Sequence, residues 1–278
     1  MFNQAEQAAL DNQIIPPGRV ALGVEYMGGN YSGWQRQAHV PSIQQYIEQC
    51  LETILRHKVD VVCAGRTDAG VSATSQIIHF DSQVARPLKA YTRGMNSNLP
   101  NDIGITWAKP VSDEFHARYS ATARQYRYVI YNNPLRSGIL NSGLTHVYQP
   151  LIATSMHEAA QALVGENDFT SFRASHCQSK TPFRNIHSIS VEQHMRYIVV
   201  QVKANAFLHH MVRNIVGSLI DVGSGEQSVH YLKDLLELKD RTKASSTAKA
   251  NGLYLVAVDY PKEFELPMHD MGPLFLTN

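Results

Sequence analysis

The sequence predicts an α+β protein of two related halves, each with the ferredoxin-like (RRM-like) order β-α-β-β-α-β. Two observations carry this reading. Strand-like runs of β-branched and alternating residues recur with helix-period segments in that order, and the same order then appears a second time. A third is length, since 278 residues suffice for two ordinary domains, each with a core of its own. The junction falls near Val111–Phe115 and gives halves of 1–112 and 113–278. Two such sheets set side by side are expected to leave a central active-site cleft.

Residues 1–17 read as a lead-in ending at Pro16-Pro17-Gly18, and Arg19–Tyr26 alternates as a strand. After a turn-rich stretch, Pro41-Ser42 opens a helix whose apolar positions Ile43, Tyr46, Ile47, Leu51, Ile54 and Leu55 follow the helical period. Val59–Cys63 and Ser75–Asp81 read as strands, Pro87 to Asn98 as a helix, and Ile103–Val111 as the strand closing the first half. The second half repeats the theme. Its strands are Arg124–Tyr131, Asn185–Gln193, Tyr197–Ala204 and Leu253–Tyr260; its helices are Ala153–Val164, Phe207–Val222 and an inserted Ser228–Leu238.

Composition excludes several classes. No apolar run is long enough to span a membrane, and residues 1–13 carry no basic residue of the kind a targeting segment needs. The three cysteines Cys50, Cys63 and Cys177 are scattered and odd in number, which fits a reducing cytoplasm rather than a disulfide framework or a zinc site. With 25 Lys and Arg against 24 Asp and Glu the net charge is only +1, but the charges are segregated. Ser82–Asn101, Phe115–His157 and Phe169–Val191 contain no acid, yet hold Arg86, Arg118, Arg124, Arg127, Arg173, Lys180 and Arg184. A neutral chain so patterned can still present a basic face to phosphates.

The chemistry concentrates in Ala64-Gly-Arg-Thr-Asp-Ala-Gly-Val-Ser-Ala73, a loop between two strands. Glycines at 65 and 70 permit a sharply shaped backbone, and Arg66 and Asp68 fall on one side of an extended chain. Taken alone, Thr-Asp-Ala-Gly is also an ordinary surface turn. His209 and His210 are adjacent on an expected helix, which would point them about 100° apart, poor geometry for one ion. No other metal-ligand spacing and no phosphate-loop fingerprint is present, so no metal or cofactor is expected. Arg213 borders the apolar stripe of the same helix, either snorkelling to water or pairing with a carboxylate such as Asp68. Tyr126 lies among Arg124 and Arg127 in a strand, a pattern that suits core packing or stacking on an unpaired base.

The longer string Gly65-Arg-Thr-Asp-Ala-Gly-Val71 resembles the active-site motif of the tRNA pseudouridine synthases that act on the anticodon stem-loop. The resemblance extends to Ala21–Tyr26, Gly33–Gln37, Phe115–Arg124, Gly165–Arg173, Asn205–Gly217, Lys249–Tyr260 and Gly272–Phe275. One departure is Ser72, where the family has a histidine. The resemblance implies a homodimeric isomerase that converts uridines 38, 39 and 40 of tRNA to pseudouridine. It implies that Asp68 is the catalytic carboxylate, that Arg66 supports extrusion of the nucleotide, and that Tyr126 stacks on the uracil. Arg213 would pair with Asp68, Leu253 would line the base pocket, and Arg118, Arg173 and Lys180 would contact RNA. Arg86, in the acid-free basic run Ser82–Asn101, is expected to contact RNA as well. A non-catalytic RNA-binding protein on RRM-like sheets is the rival; it would use the same basic faces without needing Arg66, Asp68 and Arg213 together.

Overall fold

The computed structural model describes residues 11–267 and 271–273. Leu274 and Phe275, at the end of the last resembling block, and residues 1–10 of the lead-in lie outside the described residues. By packing, the chain groups into two compact units, residues 1–122 with 256–278, and residues 123–255. Element order alone puts the junction at 112/113. The segment that follows goes with the first unit because Phe115 and Ala117, both fully buried, pack into its core beside Ala21, Ala64, Ile77 and Trp107.

In the first unit, strand β1 (Ile14–Ile15) precedes β2 (Gly18–Tyr26). Helix α1 (Ile43–Leu55), β3 (Val62–Cys63), β4 (Ser72–Ser82), β5 (Arg86–Pro87) and β6 (Ile103–Pro110) follow. Strand β2 pairs antiparallel with both β4 and β6, β3 pairs with β4, and β1 with β5. Helix α1 buries Ile43, Ile47, Leu51 and Leu55 of the expected face together with Cys50, while Tyr46 and Ile54 are half-buried. It ends where Arg56 turns left-handed at φ 65° and donates its N–H to Glu52 O at 2.9 Å, closing the last turn.

Two expectations here are corrected. The strand expected from Val59 begins only at Val62, because the Val61 N–H is taken by the Glu48 carboxylate of α1 at 3.1 Å and not by a strand partner. The helix expected from Pro87 to Asn98 contains a π-helical segment, Ala90–Gly94, and Pro87 itself pairs in β5.

The second unit comprises β7 (Ala123–Asn132), β8 (Thr145–Val147), α2 (Ala153–Ala160), β9 (Gly165–Asp168), β10 (Phe183–His194), β11 (Tyr197–Ala204), α3 (Met211–Gly223) and α4 (Tyr231–Leu238). Strand β12 (Leu253–Asp259) begins in this unit and ends in the first. Strands β7, β11, β10 and β9 pair antiparallel in that order, and β8 adds to β7 in parallel. Helix α3 buries Met211, Val212, Ile215, Val216, Leu219 and Val222. It starts four residues later than expected, at Met211, because His210 takes a left-handed backbone at φ 61°. Among the described residues no helix is long and apolar enough to cross a membrane.

Candidate active site

The loop joining β3 to β4 is held through its backbone and its buried positions. Asp68 O accepts the Val71 N–H at 3.1 Å, closing a turn over Ala69 and Gly70, and Gly70 has φ 79°, a value that a side chain would strain. A neighbouring segment grips the other edge: Trp34 N–H donates to Thr67 O at 3.0 Å, and Gly70 N–H to Tyr31 O at 3.3 Å. That approach needs a glycine at 33, with φ 90°, where a Cβ would lie 2.7 Å from Thr67 O. Thr67 is buried and its hydroxyl meets the Tyr26 hydroxyl at 2.8 Å.

Gln76, fully buried on β4, clasps the peptide at the start of the loop. Its Nε2 donates to Gly65 O at 2.6 Å and its Oε1 accepts from Gly65 N at 3.3 Å. In burial the three residues differ: Arg66 is exposed, Thr67 buried and Asp68 half-buried. Ser72, the residue that departs from the family's histidine, is fully buried and accepts Gly28 N–H at 3.0 Å. Here it is a scaffold contact for the 27–34 segment.

The arginines are not equivalent. Arg66 and Arg118 are both exposed and both place positive charge against the buried Cys63, whose thiol burial nonetheless pushes up to about 12. These two candidates therefore share a neighbourhood. Arg86 does not join them: its Nε donates at 3.0 Å to Ile54 O in the last turn of α1, where a cation also suits the helix dipole. Behind the loop, His79 of β4 is buried, and burial pushes its imidazole down to about 4, helped by the Arg19 charge. Its Nδ1 accepts the Ala117 N–H at 3.1 Å, a bond that only the neutral ring can make.

In the second unit, Tyr126 of β7 is buried and meets Phe207 edge-on, ring centroids 5.0 Å apart at 84°. Arg213 is half-buried near the start of α3 and is aimed by a reciprocal clamp. Its Nε donates to Ala248 O at 2.8 Å, while Ala248 N donates to Arg213 O at 3.1 Å. Gly217, one turn on, allows that approach, since a Cβ there would lie 2.0 Å from Ser246 O. Leu253 is buried at the start of β12 and donates its N–H to Ala250 O at 2.9 Å.

Arg173 spends its guanidinium on the carbonyls of Cys177 (2.9 Å) and Ser179 (2.6 Å), and Arg184 reaches Ser179 Oγ at 2.6 Å. Together they shape the loop that carries the exposed Lys180. The histidines expected on a helix precede it instead, with ring centroids 4.0 Å apart at 34°. His209 N donates to Cys177 Sγ at 3.4 Å and its carbonyl accepts from Ala174 N at 3.1 Å, tying this segment to the same loop.

A scaffold whose loop is held by backbone atoms and carries an exposed arginine and a half-buried aspartate defines a class when its whole sequence is compared. The family model described as tRNA pseudouridine synthase matches residues 23–120 and 159–261, and the chain belongs to that family. Within it, the chain is 59% identical over 260 residues to tRNA pseudouridine synthase A of Pseudoalteromonas translucida, covering 94% of this chain and 98% of that one. The protein of the same name from Vibrio parahaemolyticus gives the same figures. The one from Shigella boydii is 56% identical over 268 residues, 96% of this chain and 99% of that one. The family is one of isomerases, which removes the non-catalytic rival.

Tyr26, Trp34, Gln76 and Glu48 are the residues that sequence reasoning missed. Their only signal was position, Tyr26 and Trp34 within resembling blocks, Glu48 on a helix and Gln76 on a strand, since each acts through a partner outside its own element.

Proposed function

We propose that this protein isomerises uridines 38, 39 and 40 in the anticodon stem-loop of tRNA to pseudouridine, using the Asp68 carboxylate and no cofactor. The observation that carries the reading is the family match across the entire Asp68 loop, in which Arg66 is exposed and Asp68 half-buried on either side of buried Thr67 in sequence. The reaction breaks an N-glycosidic bond, turns the uracil and joins C5 to the same ribose. Nothing is oxidised or hydrolysed, so a carboxylate and a pocket for the extruded base are the essential parts. Asp68 acts at the reacting nucleotide and Arg66 helps hold it out of its stack. Tyr126 stacks on the uracil, Leu253 bounds its pocket, and Arg213 supplies the cation that the carboxylate pairs with.

Arg118 and Lys180, both exposed, take phosphates. Arg173 serves through the loop that presents Lys180, and Arg86 lies at a more distant part of the same RNA path. The enzyme works as a cytoplasmic homodimer of chains with two ferredoxin-like halves. The strand order β6-β2-β4, with β3 on β4, supports that description for the first half.

Mapping pseudouridines in unmodified tRNA incubated with the pure protein tests the reading directly. Asp68→Asn should lower the rate by at least about 10³-fold. Its tRNA Kd should change less than about threefold, because phosphate contacts dominate affinity. Substantial turnover by this variant, or product only outside the anticodon arm, would overturn the proposal.

A further inference from the structure

Outside the proposed catalytic residues, the first unit carries an exposed aromatic ring built on a rigid column. Tyr119 is 77% exposed, although its neighbours in chain, Phe115 and Ala117, are fully buried. Its ring stacks on His116, centroids 4.3 Å apart and planes 28° from parallel. His116 is itself fixed: its Nδ1 accepts the N–H of both Arg118 (3.2 Å) and Tyr119 (3.1 Å). It rests in turn against buried His79 at 4.9 Å. The Arg118 guanidinium lies 5.8 Å from the Tyr119 centroid. Ala117 on this segment and Ala64 at the root of the Asp68 loop belong to one core cluster, so the column stands beside that loop.

Protein surfaces rarely hold a large ring in place from beneath and leave it open to water. A ring so fixed loses little freedom when a flat partner settles on it. Any nucleobase offers such a face, and an adjacent guanidinium suits the phosphate that travels with the base. The run from Phe115 to His157 contains no acid of its own, although Asp113 and Glu114 precede it.

We propose that Tyr119 is a stacking platform for an unpaired base of the RNA substrate that flanks the nucleotide being isomerised. The proposal rests on the reading of the protein as an anticodon stem-loop pseudouridine synthase, and the test separates the two. Wild-type protein is first assayed for pseudouridine in a minimal anticodon stem-loop; no product there defeats the reading itself. Loop bases are then replaced one at a time by 2-aminopurine, and fluorescence is followed as each RNA binds wild type, Tyr119→Leu, Tyr119→Phe and Tyr119→Trp.

Wild type should quench the probe strongly at one loop position. The Leu variant should lose that quench and raise KM about tenfold or more, with kcat within about twofold. The Phe and Trp variants should keep both quench and KM, since each retains a stacking face. The inference is overturned if Leu matches wild type, or if Phe loses as much as Leu, which would point to the hydroxyl. It is equally overturned if the Leu variant leaves RNA binding intact but changes the sedimentation coefficient, which would make Tyr119 a protein contact.

Discussion

At the scale of single residues, the site separates atoms that hold the loop from atoms that would act. Gln76 belongs to the first kind. Gln76→Met removes both hydrogen bonds to Gly65 at nearly unchanged volume and strands a part-buried N–H and C=O. Stability should fall by about 1–3 kcal/mol in urea unfolding. Isomerisation should weaken more through kcat than KM, because the variant misplaces Asp68 without touching RNA. Lys180 and Arg118 belong to the second kind. Each alanine variant should flatten the salt dependence of tRNA binding by about one ion, measured by filter binding across a salt series. Unaltered slopes would move the RNA path elsewhere.

At the scale of elements, α3 depends on one missing side chain. Gly217→Ala puts a Cβ against Ser246 O and must push the helix from the 246–248 segment, undoing the Arg213–Ala248 clamp. We expect a fall in thermal midpoint together with a loss of activity, whereas Ser224→Ala at the end of the same helix should do neither. Strands with a clean apolar alternation were legible in the sequence: Tyr197–Ala204 was read to the residue, and Arg19–Tyr26 and Arg124–Tyr131 to within one residue at either end. The exceptions have separate local causes. Val59–Val61 has strand composition but loses its N–H to a carboxylate of α1, and His210 breaks the 3.6-residue pattern by a backbone angle that no side-chain pattern encodes. The Asp68 motif was legible as a string. Its support was not, because Tyr26 and Gln76 stand fifty positions apart and only the folded sheet brings them to Thr67 and Gly65.

At the scale of the whole molecule, His79 ties folding to acidity. Its folded imidazole is held near 4, against about 6.5 for an unfolded histidine, so the unfolded chain binds the proton more readily. That contribution to stability is complete above about pH 6.5 and is lost as pH falls toward 4, at most about 3 kcal/mol. His79→Gln should flatten this part of the stability profile in urea titrations; an unchanged slope would assign the acid sensitivity to other groups. The way the Asp68 loop is fastened has a practical corollary. Since main-chain bonds and buried Thr67 carry the turn, the exposed Arg66 can be exchanged without unfolding it. Inactive variants at this position should therefore persist as well-ordered substrate traps, able to carry unmodified tRNA through purification and into a co-crystal.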